Sequence, residues 1–283
     1  MKNSGKRNIV IGILTISIGL IAFGTYRLLA QAKETVHAEW KHEGIDWEEA
    51  LIVTTAPSVS SFIKKYEGFI VSFNKKNKTP NWVAWDLLGT ETEGVGTRTN
   101  KFWRDEEIDG CPDTRDYRGS GFDRGHMIPA AEQKWNEQAM EDCFSMANIC
   151  PQDHSLNSGA WNTLENKERA WARRDSMLLI AAGPIYEDTD TLYIGENKVR
   201  VPSAFFKVIA APTANPPRGI GFIYPNMSAP GNMRVYAMTI RDVEKATGHD
   251  FFSSLPDSLE NIIEETTSFS EWDKPGNAYR TKN

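Results

Sequence analysis

The sequence predicts an α+β fold in which a central antiparallel sheet is flanked by helices. Three observations lead there: β-type runs outnumber helical ones, the two kinds do not alternate regularly, and turn-rich stretches punctuate them. With 283 residues, 40% hydrophobic and 25% charged, the chain is neither disordered, collagen-like nor a polytopic membrane protein. One catalytic-sized domain is the simplest count at this length. The 32 Lys and Arg fall short of the 38 Asp and Glu, a formal net charge of −6. A polyanionic partner would therefore have to meet a local basic patch rather than the field of the whole molecule.

Along the chain, residues 33–60 read as a polar lead-in with a short helical stretch near Trp47–Leu51. Phe69–Phe73 and Trp82–Leu87 are β-type runs around the turn-rich Asn74–Pro80, a predicted hairpin. Gly89–Gly121 is dense in Gly, Asp and Arg and reads as loop. Glu132–Phe144 and Gly159–Arg174 have helical composition, and Met146–Gln152 between them is strand-like. Strands are expected at Met177–Ile185, Arg200–Ala210, Ile220–Tyr224 and Arg234–Thr239, and closing helices at Arg241–Thr247 and Leu255–Glu265. The resulting division is a leader over 1–32, the lead-in over 33–60, a domain over 61–270 and a tail over 271–283.

The leader carries Lys2, Lys6, Arg7 and Arg27 without an acid, and Ile9–Phe23 is an uncharged apolar run. A basic start, an apolar stretch and the small residues around Ala30-Gln31-Ala32 read as a signal peptide. The other reading is an uncleaved membrane anchor through residues 9–30, with Arg27 snorkelling near one end. Positive charge ahead of the apolar run places the rest of the chain outside the cytoplasm in both readings: periplasmic, secreted or anchored. In an oxidising compartment one pair among Cys111, Cys143 and Cys150 could close, leaving one thiol over. Packing is the commoner role for each, and the absence of a CxxC spacing argues against a cysteine zinc site.

The sharpest chemical signal is Asp123-Arg124-Gly125-His126. An imidazole can take a proton from water near neutral pH. A guanidinium matches phosphate oxygens, and glycine lets the backbone come close to a bulky polyanion. On spacing alone a His in a Gly-rich turn is more often structural. A second group follows: Asn148-Ile149-Cys150-Pro151-Gln152, then Leu156-Asn157 through Leu164-Glu165 and Arg169. Asn157, Glu165 and Arg169 fall at multiples of four and share one broad side of a helix. An amide oxygen with a carboxylate two turns on can hold a hydrated Mg²⁺, whereas the bland readings are an N-cap and a surface ion pair.

Taken together these segments resemble the DNA/RNA non-specific endonuclease family. The resemblance rests on Ser-Gly-aromatic-Asp-Arg-Gly-His at Ser120–His126, Asn-Ile-x-Pro-Gln at Asn148–Gln152 and Leu-Asn-x-Gly-x-Trp-x-x-Leu-Glu at Leu156–Glu165. Further similarity runs through Gly183-Pro184-Ile185, Val201-Pro202-Ser203 with Phe206-Lys207, and Thr247–Phe252. It implies a ββα-metal nuclease domain, DNA and RNA as substrates, and Mg²⁺ replaceable by Mn²⁺. By the same resemblance His126 is the general base, Asn157 the direct metal ligand and Glu165 an orienter of metal-bound water. Asn148 would position the His or the substrate, Arg169 and Arg124 would hold phosphate, and Asp123 and Gly125 would shape the motif. An arginine of the long loop should reach the scissile phosphate, Arg98 rather than its neighbour Arg104.

The acidic balance asks that basic residues gather around one groove, with Arg115, Arg118, Arg124, Lys134, Arg169, Arg173 and Arg174 as candidates. A non-catalytic nucleic-acid or phosphate-binding protein on the same fold is the alternative, disfavoured because His126 and Asn157 are both present. A zinc site from the cysteines with His126 or His154 is a third and weaker reading.

Overall fold

The computed structural model describes residues 24–38 except 26, then 45–189, 191–265 and 269–274. The apolar run of the leader and most of the tail lie outside these residues. Among the described residues no helix is long and apolar enough to cross a membrane.

Seven strands form one antiparallel sheet, in the order Ala237–Met238, Arg218–Pro225, Ala204–Ala211, Met177–Ile185, Thr79–Leu88, Phe69–Asn74 and Phe62–Tyr66. Its central strands are buried on both faces, which explains why Met177–Ile185 reads as a continuous apolar run and Trp82–Leu87 as one broken only by Asp86; the latter strand starts at Thr79, inside the expected turn. Val83, Trp85 and Leu87 face one core and Trp82, Ala84 and Leu88 the other. The first core is covered by the long helix Asn162–Asp175, whose Leu164, Trp171 and Ala172 point inward, together with Met127 and Cys150 of the motif segments. The second is covered by Ile240–Thr247 and Asp257–Glu265 through Ile240, Val243 and Ile263. This is the α+β arrangement with helices on both sides of an antiparallel sheet.

Several expected elements differ in their limits. Phe62–Tyr66 is an additional strand at the sheet edge, half exposed and carrying Lys64 and Lys65, charges that suit an unpaired edge. The predicted helix Glu132–Phe144 is a 3-10 turn at Ala130–Glu132 and a helix at Glu137–Asp142; Asn136 caps the latter by accepting from the Gln138 and Ala139 amides. Arg200–Ala210 divides into Val199–Arg200 and Ala204–Ala211 around Pro202, which has no amide hydrogen for a ladder. Only Ala237–Met238 of Arg234–Thr239 is strand, because Asn232 caps a 3-10 turn at Met233–Val235.

The lead-in is more ordered than its polar composition suggests. Lys33, in a helix covering residues 27–38, reaches Asp86 at 2.8 Å and Glu91 at 3.0 Å, and His37 meets Asp86 at 2.8 Å. Thr54–Thr55 pairs with His249–Asp250. Near the other end Trp272 is buried against Trp171, with ring centres 4.9 Å apart. All three cysteines are buried free thiols, in the packing role that the sequence favours for each. Cys143 and Cys150 pack in the first core and Cys111 beside Phe73 and Tyr117.

Candidate active site

The motif strand Asp123–His126 pairs antiparallel with Ile149–Gln152, so that Gly125 faces Cys150 and His126 faces Ile149. A Cβ on Gly125 would lie 2.3 Å from Oε1 and 2.5 Å from Cβ of Gln152, so nothing larger than glycine fits without displacing the partner strand. Strand alternation sends Arg124 and His126 to the same side. Asn148 sits behind them, fully buried. Its Oδ1 accepts from the Ile128 amide at 3.0 Å, and its Nδ2 donates to the carbonyls of Ile128 (3.1 Å) and Cys143 (2.8 Å). All three contacts are to main chain. Asn148 thus fixes the backbone leaving His126 and offers no group to a substrate.

His126 is 8% exposed, packed between Phe102 and Phe144 at ring distances of 5.3 and 4.9 Å. Burial first, then the charges of Arg98 and Arg124, push its pKa down to about 3, despite a hydrogen bond to the Arg124 main chain that favours the proton. The ring is therefore neutral at pH 7, and its Nε2 is buried without a hydrogen-bond partner among the described residues. The two guanidiniums lie over the same aromatic pair: Arg98 stands 5.2 Å from the Phe144 ring and Arg124 4.6 Å from that of Phe102. Arg104 instead pairs with Glu106 at 3.4 Å. Of the two loop arginines, the structure brings Arg98 to His126.

Asn157 lies in a single wide turn, Leu156–Trp161, rather than at the N-cap of the long helix; Gly159 breaks the regular geometry there with φ −104° and ψ −106°. Its Nδ2 donates to Asp123 at 2.8 Å, and Asp123 also meets His154 Nδ1 at 2.8 Å. The amide is thereby oriented with Oδ1 left as the available ligand atom. Glu165 follows in the first turn of the long helix. Burial raises its carboxyl to about 7, with Lys207, Arg169 and Arg98 pulling the other way and Glu168 adding to the rise. Arg98 is thus close enough to bias both His126 and Glu165.

Arg169 is less free than expected, since it donates to Asn166 at 2.7 Å and Glu132 at 3.4 Å. It belongs to a buried charged group that the sequence reading missed. Glu168 and Lys207 pair at 3.1 Å, both side chains at 0% exposure, and Lys207 lies 4.5 Å from the Trp161 ring. Glu132 accepts from Trp85 Nε1 at 2.9 Å, and burial, then Glu168, holds its carboxyl well above the usual range. The only signal available was a Glu at 168 among the inward positions of an otherwise apolar helix face. The basic candidates do not converge as a set: Arg115 is held by Asp113, Arg173 by Thr92 and Arg174 by Asp175. Among the described residues, the cluster of His, Cys, Asp and Glu close enough to share a metal ion is Glu244, Asp250 and Glu264, without a cysteine.

A neutral histidine flanked by two guanidiniums, with an oriented amide oxygen and a carboxylate on the adjoining helix, is a constellation for hydrolysing an anionic ester. The fold and this group of side chains are of the kind that suits a hydrolase. A family model of DNA/RNA non-specific endonucleases matches residues 48–258, and the chain belongs to that family. It is an endonuclease. The chain is 31% identical over 203 residues to human mitochondrial endonuclease G, covering 66% of this chain and 68% of that protein. It is 30% identical over 270 residues to mouse mitochondrial nuclease EXOG, covering 88% and 73%. A solved EndoG/EndoGI complex contains a chain that superposes with a TM-score of 0.65 at 26% identity, covering 72% of this chain and 91% of that one.

Proposed function

We propose that the protein cleaves phosphodiester bonds of both DNA and RNA without sequence preference, with His126 as general base. The observation that carries this is the buried, unpartnered Nε2 of a neutral His126 between Arg98 and Arg124. Nε2 accepts the proton of a water as it attacks phosphorus in line with the 3′ oxygen. Arg98 and Arg124 hold the non-bridging oxygens. An anionic phosphate beside them offsets their charge on the imidazole and brings its pKa up towards the working pH. Nothing in this arrangement reads bases, so affinity rests on phosphate and falls with salt.

The donor set fits a hydrated Mg²⁺: one amide oxygen with its nitrogen already held by Asp123, and the Glu165 carboxylate on the helix that follows, which makes no hydrogen bond among the described residues. Asn157 would bind the ion directly and Glu165 would orient its waters, with Mn²⁺ accepted by the same oxygen donors. Bound there, the ion supplies charge neutralisation for the departing oxygen. The non-catalytic alternative has no support in this geometry.

The test incubates the purified protein with supercoiled plasmid and with total RNA, with Mg²⁺, with EDTA, and as His126→Ala. Metal-dependent cleavage lost in the variant is expected; intact substrate throughout, from folded protein, overturns the reading. We further infer export or membrane anchoring. The relatives are named mitochondrial, but Ile9–Phe23 is an uninterrupted apolar run rather than the Arg-rich amphipathic pattern of a mitochondrial presequence. Fractionation of tagged cells decides it, and a soluble cytoplasmic pool alone would refute it.

A further inference from the structure

Beside Arg124 the surface opens into a cavity of about 330 Å³ walled by Thr114, Tyr117, Arg118, Phe122, Asp123 and Arg124. Arg118 and Phe122 also line a second cavity of about 620 Å³, whose other residues include Arg115 and Tyr193. The two cavities share Arg118 and Phe122 as walls and together make up a track beside the motif strand. Its shape follows from the turn Gly119-Ser120-Gly121. Both glycines take positive φ, 68° and 84°, and no atom lies within 4 Å of where their Cβ atoms would be, so the turn stands clear of the body. The facing wall, at Tyr193–Ile194 and Val199–Arg200, is fastened by Asp116, which accepts from Asn197 N at 3.0 Å and Nδ2 at 2.9 Å.

The acids along the track are engaged. Asp113 binds Arg115 at 2.9 Å, Asp116 holds Asn197, Asp123 holds Asn157 and His154, and Glu196 interacts with Arg115. Arg118 is different: its exposed guanidinium makes no hydrogen bond or ion pair among the described residues. The smaller cavity therefore presents two cations, Arg118 and Arg124, and a half-buried aromatic ring next to the hydrolytic site. Arginine with an aromatic platform is the chemistry that binds single-stranded nucleic acid, because a ring can stack on a base only when that base face is free. The volume also lies in the range of small-ligand pockets.

We propose that this track is a subsite for an unpaired nucleotide flanking the cleaved bond, with Arg118 on its phosphate and Phe122 stacked on its base. Single-stranded or locally melted nucleic acid is then the preferred substrate. This rests on the nuclease reading above and adds the form of the substrate to it.

The test uses a short fluorescein-labelled single strand and the same sequence as a duplex, with the full chain as wild type, Arg118→Ala, Phe122→Leu and Phe122→Trp. Arg118→Ala and Phe122→Leu are expected to raise KM for the single strand about tenfold with kcat within about twofold, and Phe122→Trp to keep the wild-type KM. The duplex should change by less than about twofold. An unchanged single-strand KM in Arg118→Ala and Phe122→Leu, or an equal rise on the duplex, overturns the subsite. A wild type that cleaves neither substrate refutes the nuclease reading separately. Fluorescence anisotropy then decides the subsite: about tenfold weaker single-strand binding in Arg118→Ala supports it, and equal binding removes it.

Discussion

The side-chain amide of Asn157 donates to Asp123 at 2.8 Å, joining the wide turn ahead of the long helix to the strand that carries His126. Residues 34 positions apart in sequence are thereby tied side chain to side chain. Asp123 thus does more than shape its own loop: it decides which atom of Asn157 faces outward. Asp123→Ala frees the amide to rotate. We expect a several-fold rise in the Mg²⁺ concentration needed for half-maximal cleavage, while Asp123→Asn, which can still accept from Nδ2, keeps most of the wild-type response. Metal titrations of plasmid cleavage would show it.

Arg98 and Arg104 should separate cleanly. Arg98→Ala removes a cation beside His126, so the imidazole pKa rises from about 3 towards its ordinary value. The base must be unprotonated, so the acidic limb of the pH–rate profile moves to higher pH, and kcat/KM falls by about tenfold or more with the lost phosphate contact. Arg104→Ala, which removes only a pairing with Glu106, leaves both unchanged. Equal effects from the two variants would remove Arg98 from the site.

Glu165 sets a second limb. Its carboxyl is raised by burial to about 7, so it is largely neutral below that pH and ionises above it. Cleavage at limiting Mg²⁺ should therefore increase through about pH 7, and the midpoint should shift lower as Mg²⁺ increases, because a cation favours the carboxylate. Glu165→Gln should flatten that limb. A limb that persists in the variant belongs to another group.

Gly125→Ala tests the fit of the motif hairpin. The added methyl meets Gln152 at 2.3 Å, a crowding in a buried strand pair that costs about 1–3 kcal/mol. Thermal unfolding should drop by several degrees, and an unchanged midpoint would show that Gln152 yields freely.

Lys33 should matter to stability although it precedes the family match. Burial opposes ionisation of Asp86, but Lys33 and then His37 outweigh it and hold that carboxyl at about 2, whereas burial raises Glu91 to about 7. Lys33→Met leaves two buried acids without their shared cation, a loss of about 3 kcal/mol. Glu91 is neutral in acid and ionises as pH rises through about 7, so the loss should be larger at about pH 8 than at about pH 5.5. Melting curves at the two pH values give the sign.

Much of the site was legible because its residues sit in short segments with strong local chemistry. Asp123 to His126 carries its pattern within one strand, and Leu156 to Glu165 within a wide turn and the first turn of the helix that follows. The central strands were legible too, since Met177–Ile185 needs no partner information to read as an apolar β run. Residue limits were less so: Asn136 and Pro202 interrupt elements through one cap and one missing amide hydrogen, effects smaller than the composition of the windows around them. Asn148 illustrates the remaining gap. An asparagine next to a motif reads equally well as a contact to substrate or as a pin for backbone, and only its complete burial among three main-chain partners settles the choice.

By itself, the sequence determined the α+β class, the strand-rich centre and the short motifs that single out the candidate site residues, because periodicity and short motifs are local properties of a chain. The tertiary structure alone created the buried group of Glu132, Glu168, Arg169 and Lys207. Lys207 meets Glu168 across 39 residues and Arg169 meets Glu132 across 37. No local pattern records such pairs, since they exist only once the assembled sheet brings distant segments out of water together, where an unpaired charge would be too costly to leave.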